Sequence, residues 1–182
     1  MRRGLLLGAA LAGGALAQTH SHGGHGGAMT MEAMNAQMMA ELRSLRGRAF
    51  DVRFSQLMMD HHQMAVEMAR ASLKSGRDSR VRAAAREVIT AQEKELAQMG
   101  AWVKTWTGKA YRPTSMTLNV PRSGVDRWFL ADMIPHHQGA VEMARLVPAR
   151  TQNAAVRKLA GQIIRSQSAE INQYRAWLKV VK

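Results

Sequence analysis

The chain repeats itself at a constant offset of 75 residues, and this register restricts the folds open to it more than any other feature. MMDHHQMAVEMAR at residues 58–70 lies over MIPHHQGAVEMAR at 133–145. The alignment continues without a gap: Val81 falls on Val156, Ala85 on Ala160, Ile89 on Ile164, Gln92 on Gln167, Glu95 on Glu170 and Trp102 on Trp177. Registration of that length makes each copy one structural unit.

Within each unit apolar residues recur at helical spacing and the breaks carry turn chemistry, so each reads as a helical hairpin. In unit one the first helix is expected from about Asp51 to Ser75. A turn at Gly76 and Asp78 follows, with a return from about Ser79 to Thr107 stopped by Gly108. In unit two the first helix is expected from near Ser123 to just before Pro148, and the return from about Asn153 to Val181. Two such hairpins make a four-helix bundle, and no run of β-branched residues at alternating spacing supports a sheet. The expected class is all-α, with repeat 1 over residues 50–108, an irregular crossover over 109–122 holding Pro113 and Pro121, and repeat 2 over 123–182. Residues 18–49 form a His/Met-rich N-terminal segment ahead of the bundle. There Met31, Met34, Met38, Leu42 and Leu45 predict a short amphipathic, Met-rich helix ending at Gly47.

Two arginines, an apolar stretch from Leu5 to Leu16 and the small-residue end Ala15-Leu16-Ala17 read as a secretory signal peptide over residues 1–17. The stretch is too short to anchor in a bilayer. An exported protein is expected, periplasmic or extracellular. The sequence has no cysteine, which excludes a disulfide framework and leaves packing or bound metal to hold the fold. The net charge of +13 falls to +11 once Arg2 and Arg3 leave with the signal. Such a balance favours peripheral contact with anionic surfaces. Specific nucleic-acid binding is not expected, because aromatic residues are few and no basic cluster stands out.

The residues that carry chemistry lie in the repeated motif. At about 100° per residue, Met58, His61, Ala65 and Met68 share the core stripe of the first helix, with Met64 at its edge and His62 one step around. Unit two repeats this with Met133, His136, Ala140 and Met143, and with His137 beside Val141. In each return helix a glutamine, Gln92 or Gln167, stands in the apolar stripe, with Glu95 or Glu170 at its edge. These four are placed to hydrogen-bond the free ring nitrogens of the histidines or to bind metal themselves. Glu67, Glu142 and Asp60 point away by the same geometry; Glu67 and Glu142 are expected to pair with Arg70 and Arg145. Imidazole with thioether is a soft to borderline ligand set, suited to copper(I) and silver(I) and poor for calcium or magnesium. Zinc, through histidine and glutamate, fits less well because thioether is not its usual ligand. Any single methionine here is first of all core filler, since burying one contributes about 1.5–3 kcal/mol without metal. Adjacent histidine doublets occurring twice are not explained that way. His20, His22 and His25 sit among glycines and read equally as a metal-gathering tail or a solvated linker.

The doubled motif, MMDHHQMAVEMA and MIPHHQGAVEMA, resembles the DUF305 family over both hairpins. The resemblance implies a ferritin-like four-helix bundle, export from the cytoplasm, and binding of copper and silver ions by methionine and histidine in metal resistance. Carried over residue by residue, it marks His61, His62, Met64 and Met68, then His136, His137 and Met143, with Met58 and Met133 at further methionine positions. Asp60 stands where the family pattern has the proline found here at Pro135.

The expected function is an exported metal-binding protein, not an enzyme, that sequesters copper(I) or silver(I) or transfers it to other exported copper-handling proteins. Neither a nucleophile with an attendant base nor a glycine-rich phosphate loop is visible. A ferritin-like di-metal oxidoreductase is the first alternative, but it needs a Glu-x-x-His pair on one face, which the sequence lacks. A basic helical module that binds anionic surfaces is the second.

Overall fold

Both hairpins form, and capping groups fix their ends. The computed structural model describes residues 30–115 and 117–181, so residues 1–17, expected to be a signal peptide, and His20, His22, His25 and Met29 lie outside the described residues. The helices are α1 (Met31–Arg43), α2 (Gly47–Ser75), α3 (Ser79–Thr107), α4 (Val125–Arg150) and α5 (Ala154–Trp177). Asp78 caps α3 by accepting from the backbone N–H groups of Arg80 and Val81, and Asn153 caps α5 through Ala155 and Val156. The offset of 75 maps one cap onto the other. Gly108 closes α3 in the left-handed region at φ 74°, a conformation that favours glycine.

Four boundaries differ from the sequence reading, among them the end of α5, at Trp177 rather than near Val181. The N-terminal helix stops at Arg43, and α2 starts at Gly47 rather than near Asp51. The first helix of unit two, α4, does not end before Pro148 but runs on to Arg150. A proline withholds only its own N–H, and here the last turn closes beyond it, the Thr151 N–H donating to the carbonyl of Val147 at 3.2 Å.

α2 packs on α3, α4 on α5, and the two hairpins meet along α2 and α4. Phe50, Phe54, Met58 and Met68 from α2 join Phe129, Leu130, Met133 and Met143 from α4 in one buried core. α1 lies across α4. Its Asn35 amide donates to the carbonyl of Pro135 at 3.2 Å and sits over Gly139, where a Cβ would collide with it. The crossover covers α2 instead: Tyr111 Oη donates to Asp60 Oδ2 at 2.7 Å and the Thr114 N–H to Asp60 Oδ1 at 2.7 Å. Burial and the Asp60 carboxylate push the Tyr111 phenol up to about 12. Asp60 and Pro135 occupy the same place in the repeat, so one position in each hairpin receives the segment that covers it.

A second repeated position locks the hairpins together. Asp126, buried near the start of α4, accepts from the backbone N–H groups of Arg77 at 2.7 Å and Asp78 at 3.0 Å, in the α2–α3 turn. Its equivalent Asp51, buried near the start of α2, accepts from the Asn153 side chain at 3.0 Å, beyond the end of α4. α2 and α4 are therefore antiparallel, each beginning beside the other's end. Gly76 has no room for a side chain, because a Cβ there would fall on the Asp126 carboxylate. Asp126→Ala leaves two backbone donors without their acceptor and is expected to cost about 1–3 kcal/mol. The lower urea midpoint should come with an unchanged slope. Asp51→Ala removes one side-chain hydrogen bond and a long ion pair with the exposed Arg48, and should cost less; equal losses would mean that the backbone bonds are not what makes Asp126 important.

Candidate metal centre

The antiparallel pairing of α2 and α4 brings all four motif histidines into the middle of the bundle. His61, His62, His136 and His137 are each no more than 1% exposed. Periodicity placed His62 and His137 at the border of the apolar face; they are inside because α2 and α4 are covered on several sides, by a return helix, by each other and by a covering segment.

The inner histidines meet where the hairpins cross. The rings of His61 and His136 lie 3.7 Å apart, centroid to centroid. His136 Nε2 is 2.9 Å from the carbonyl oxygen of His61. A carbonyl only accepts, so Nε2 of His136 holds the hydrogen, and in the neutral ring Nδ1 carries a lone pair with no partner. Both ring nitrogens of His61 lack partners. Burial, then the nearby imidazoles, hold His61 and His136 well below the ordinary histidine range, which keeps both rings neutral at neutral pH.

Each outer histidine faces a carboxylate on its own return helix. His62 Nε2 donates to Glu95 Oε2 at 2.6 Å, and its Nδ1 is buried without a partner. His137 Nε2 likewise lies 2.6 Å from Glu170 Oε2, short of hydrogen-bond alignment, and its Nδ1 is buried without a partner. The amide oxygens of Gln92 and Gln167 are also buried without partners. A buried polar atom without a partner costs about 1–3 kcal/mol, and a cluster of them is a poor design for an apolar core.

The remaining candidate ligands, Met58, Met64, Met68, Met133 and Met143, are all buried in the same core. Among the described residues no three His, Asp or Glu side chains are arranged to hold a metal ion by themselves. The donors on offer are therefore imidazole lone pairs with thioether sulfur, a set that fits soft monovalent ions. Glu95 and Glu170 both reach solvent: their side chains are 18% and 29% exposed, and Glu95 lines a groove of about 1170 Å³ between α3 and α5, which barely touch. Glu67 and Glu142 do not join the cluster. Glu67 accepts from Gln63 and Ser115, while Arg70, expected beside Glu67, donates to Glu93 at 2.7 Å. Glu142 is exposed.

Sequence reasoning put Met99 in the core stripe of the return helix, one turn from Glu95, without naming it a ligand, and missed Tyr174. Met99 and Tyr174 share one place in the repeat, four residues beyond Glu95 and Glu170, and both are buried. The Tyr174 ring lies 5.9 Å from that of His137, and burial with the Glu170 and Glu87 charges raises its phenol. The i,i+4 step from Glu170 was the signal available for finding Tyr174.

Comparison with known proteins follows the same lines. The family described as "Domain of unknown function (DUF305)" matches residues 7–103 and 126–182. CopM in the Cu(I)-bound form is 37% identical with a TM-score of 0.67, over 71% of this chain and 95% of that one. CopM in the Ag-bound form, obtained by co-crystallization, is 37% identical with a TM-score of 0.66 over the same shares. A DUF305 fragment from Deinococcus radiodurans is 28% identical with a TM-score of 0.64, over 74% of this chain and 98% of that one. An uncharacterized protein of Acanthamoeba polyphaga mimivirus is 40% identical over 53 residues, which span 29% of this chain and 35% of that protein. No helix among the described residues is long and apolar enough to cross a membrane.

Proposed function

We propose that this chain, which belongs to the DUF305 family, binds copper(I) or silver(I) among the four buried histidines and the methionines around them. The observation that carries this reading is the set of imidazole nitrogens on His61, His62 and His136 that are fully buried and without a hydrogen-bond partner. Glu95 supports it by fixing the hydrogen of His62 on Nε2, so that Nδ1 is the nitrogen left to bind, the usual way a carboxylate orients a ligating imidazole. Similarity to CopM, known in Cu(I)- and Ag-bound forms, supports it independently. Zinc is served less well, since its sites ask for three or four nitrogen, oxygen or thiolate ligands. In this reading the protein is exported and sequesters the ion, or hands it to another exported copper-handling protein, as part of metal resistance. It catalyses no reaction.

The test is a copper(I) titration of the mature protein against a competing chelator. The wild type is expected to take the ion, and a His61→Leu, His136→Leu double variant to bind it about 100-fold more weakly or worse, beyond what loss of a merely supporting residue causes. Equal affinity in the two proteins would overturn the reading.

A further inference from the structure

The two halves of the centre are alike in nitrogen and unlike in sulfur. His62 with Glu95 matches His137 with Glu170, each pair at 2.6 Å. Two positions around them differ. Met64 is matched by Gly139, whose missing side chain is replaced in space by the Asn35 amide of α1. Met99 is matched by Tyr174, which presents its ring to His137. The same register places Met99 on the face of α3 that carries Glu95, fully buried. Soft monovalent ions select thioether over oxygen donors. At these two positions the α2–α3 half offers sulfur, while the α4–α5 half, which keeps Met133 and Met143, offers a phenol and an amide.

We infer that the soft-ion site is single and lies in the α2–α3 half, with the Met99 thioether as its ligand from α3, while Tyr174 keeps the α4–α5 half from taking a second ion. This rests on the metal-binding reading and adds to it the place and number of the ions. Tyr174 is a specificity-determining residue here: with a methionine at its position, the second half would acquire the donor that the first half has.

Silver(I) is the probe, because it is soft and does not change oxidation state during the measurement. Native mass spectrometry and a competition titration would be run on the wild type and on Met99→Leu, Tyr174→Phe and Tyr174→Met. The wild type is expected to hold one tightly bound silver ion. Met99→Leu, which keeps the volume and removes the sulfur, should weaken it by about tenfold or more. Tyr174→Phe should leave it unchanged, and Tyr174→Met should hold two. Unchanged affinity in Met99→Leu, or an equal loss in Tyr174→Phe, would overturn this inference and leave the functional reading standing. A wild type that takes no silver would overturn both. If Tyr174→Met does not fold, the contrast between Met99→Leu and Tyr174→Phe decides alone.

Discussion

Replacing His61 and His136 together with leucine is expected to make the metal-free protein more stable, by about 1–3 kcal/mol for each imidazole removed. Three ring nitrogens of these two residues are buried without a partner, and leucine fills nearly the same volume without a polar atom. The order should reverse once the ion is present. A ligand that binds only the folded state at about 1,000 times its Kd stabilises it by about 4 kcal/mol, and the variant has lost the nitrogens that would earn this gain. Urea denaturation of both proteins, first with a chelator and then with copper(I), measures all four stabilities. A double variant less stable than wild type in chelator would show that the histidines are structural members of the core.

The second large effect is on pH. Burial holds His61 and His136 well below their ordinary range in the folded protein, whereas in the unfolded chain each takes up a proton near pH 6.5. Between those values the unfolded state binds more protons than the folded one, so acid favours unfolding. Stability is full above about pH 6.5. It falls as the pH drops below that value, with the unfolding constant rising by up to about tenfold per pH unit for each imidazole, or about 100-fold for the pair. The fall continues until the folded-state values are reached. Chelator-treated protein unfolded at a series of pH values between 7 and 5 should show this slope, and the leucine double variant should have lost most of it. A wild type whose stability is flat over that range would mean that the two rings are solvated.

The ends of the hairpins were legible because capping chemistry is local. Asp78 and Asn153 accept from the first turns of α3 and α5, and Gly108 supplies the one left-handed residue that α3 needs to stop. Burial of His61 and His136 was legible for a related reason, since a 3.6-residue period fixes which side of a helix they occupy. What escaped depends on contacts between distant segments. No pattern within α1 shows that Asn35 will cover Gly139, and none within α2 shows that Arg70 will reach Glu93 rather than the nearer Glu67. Asp51 and Asp126 read as ordinary polar residues at helix starts, and only the antiparallel docking of the hairpins reveals what they grip. Full burial of His62 and His137 escaped for the same reason, because a single apolar stripe does not count the neighbours on a helix's other sides.

The grip of Asp51 and Asp126 has a consequence for assembly. Each carboxylate holds the turn of the opposite hairpin, never its own. A hairpin is thus indifferent to whether the turn it grasps belongs to the same polypeptide or to another copy, and the two repeats carry what an exchange of halves between molecules requires. What favours the closed monomer is proximity, set by the length of the strap between α3 and α4 and by the anchoring of that strap through Tyr111 and Thr114 to Asp60. Asp60 therefore counts toward keeping each molecule whole as well as toward holding a loop in place.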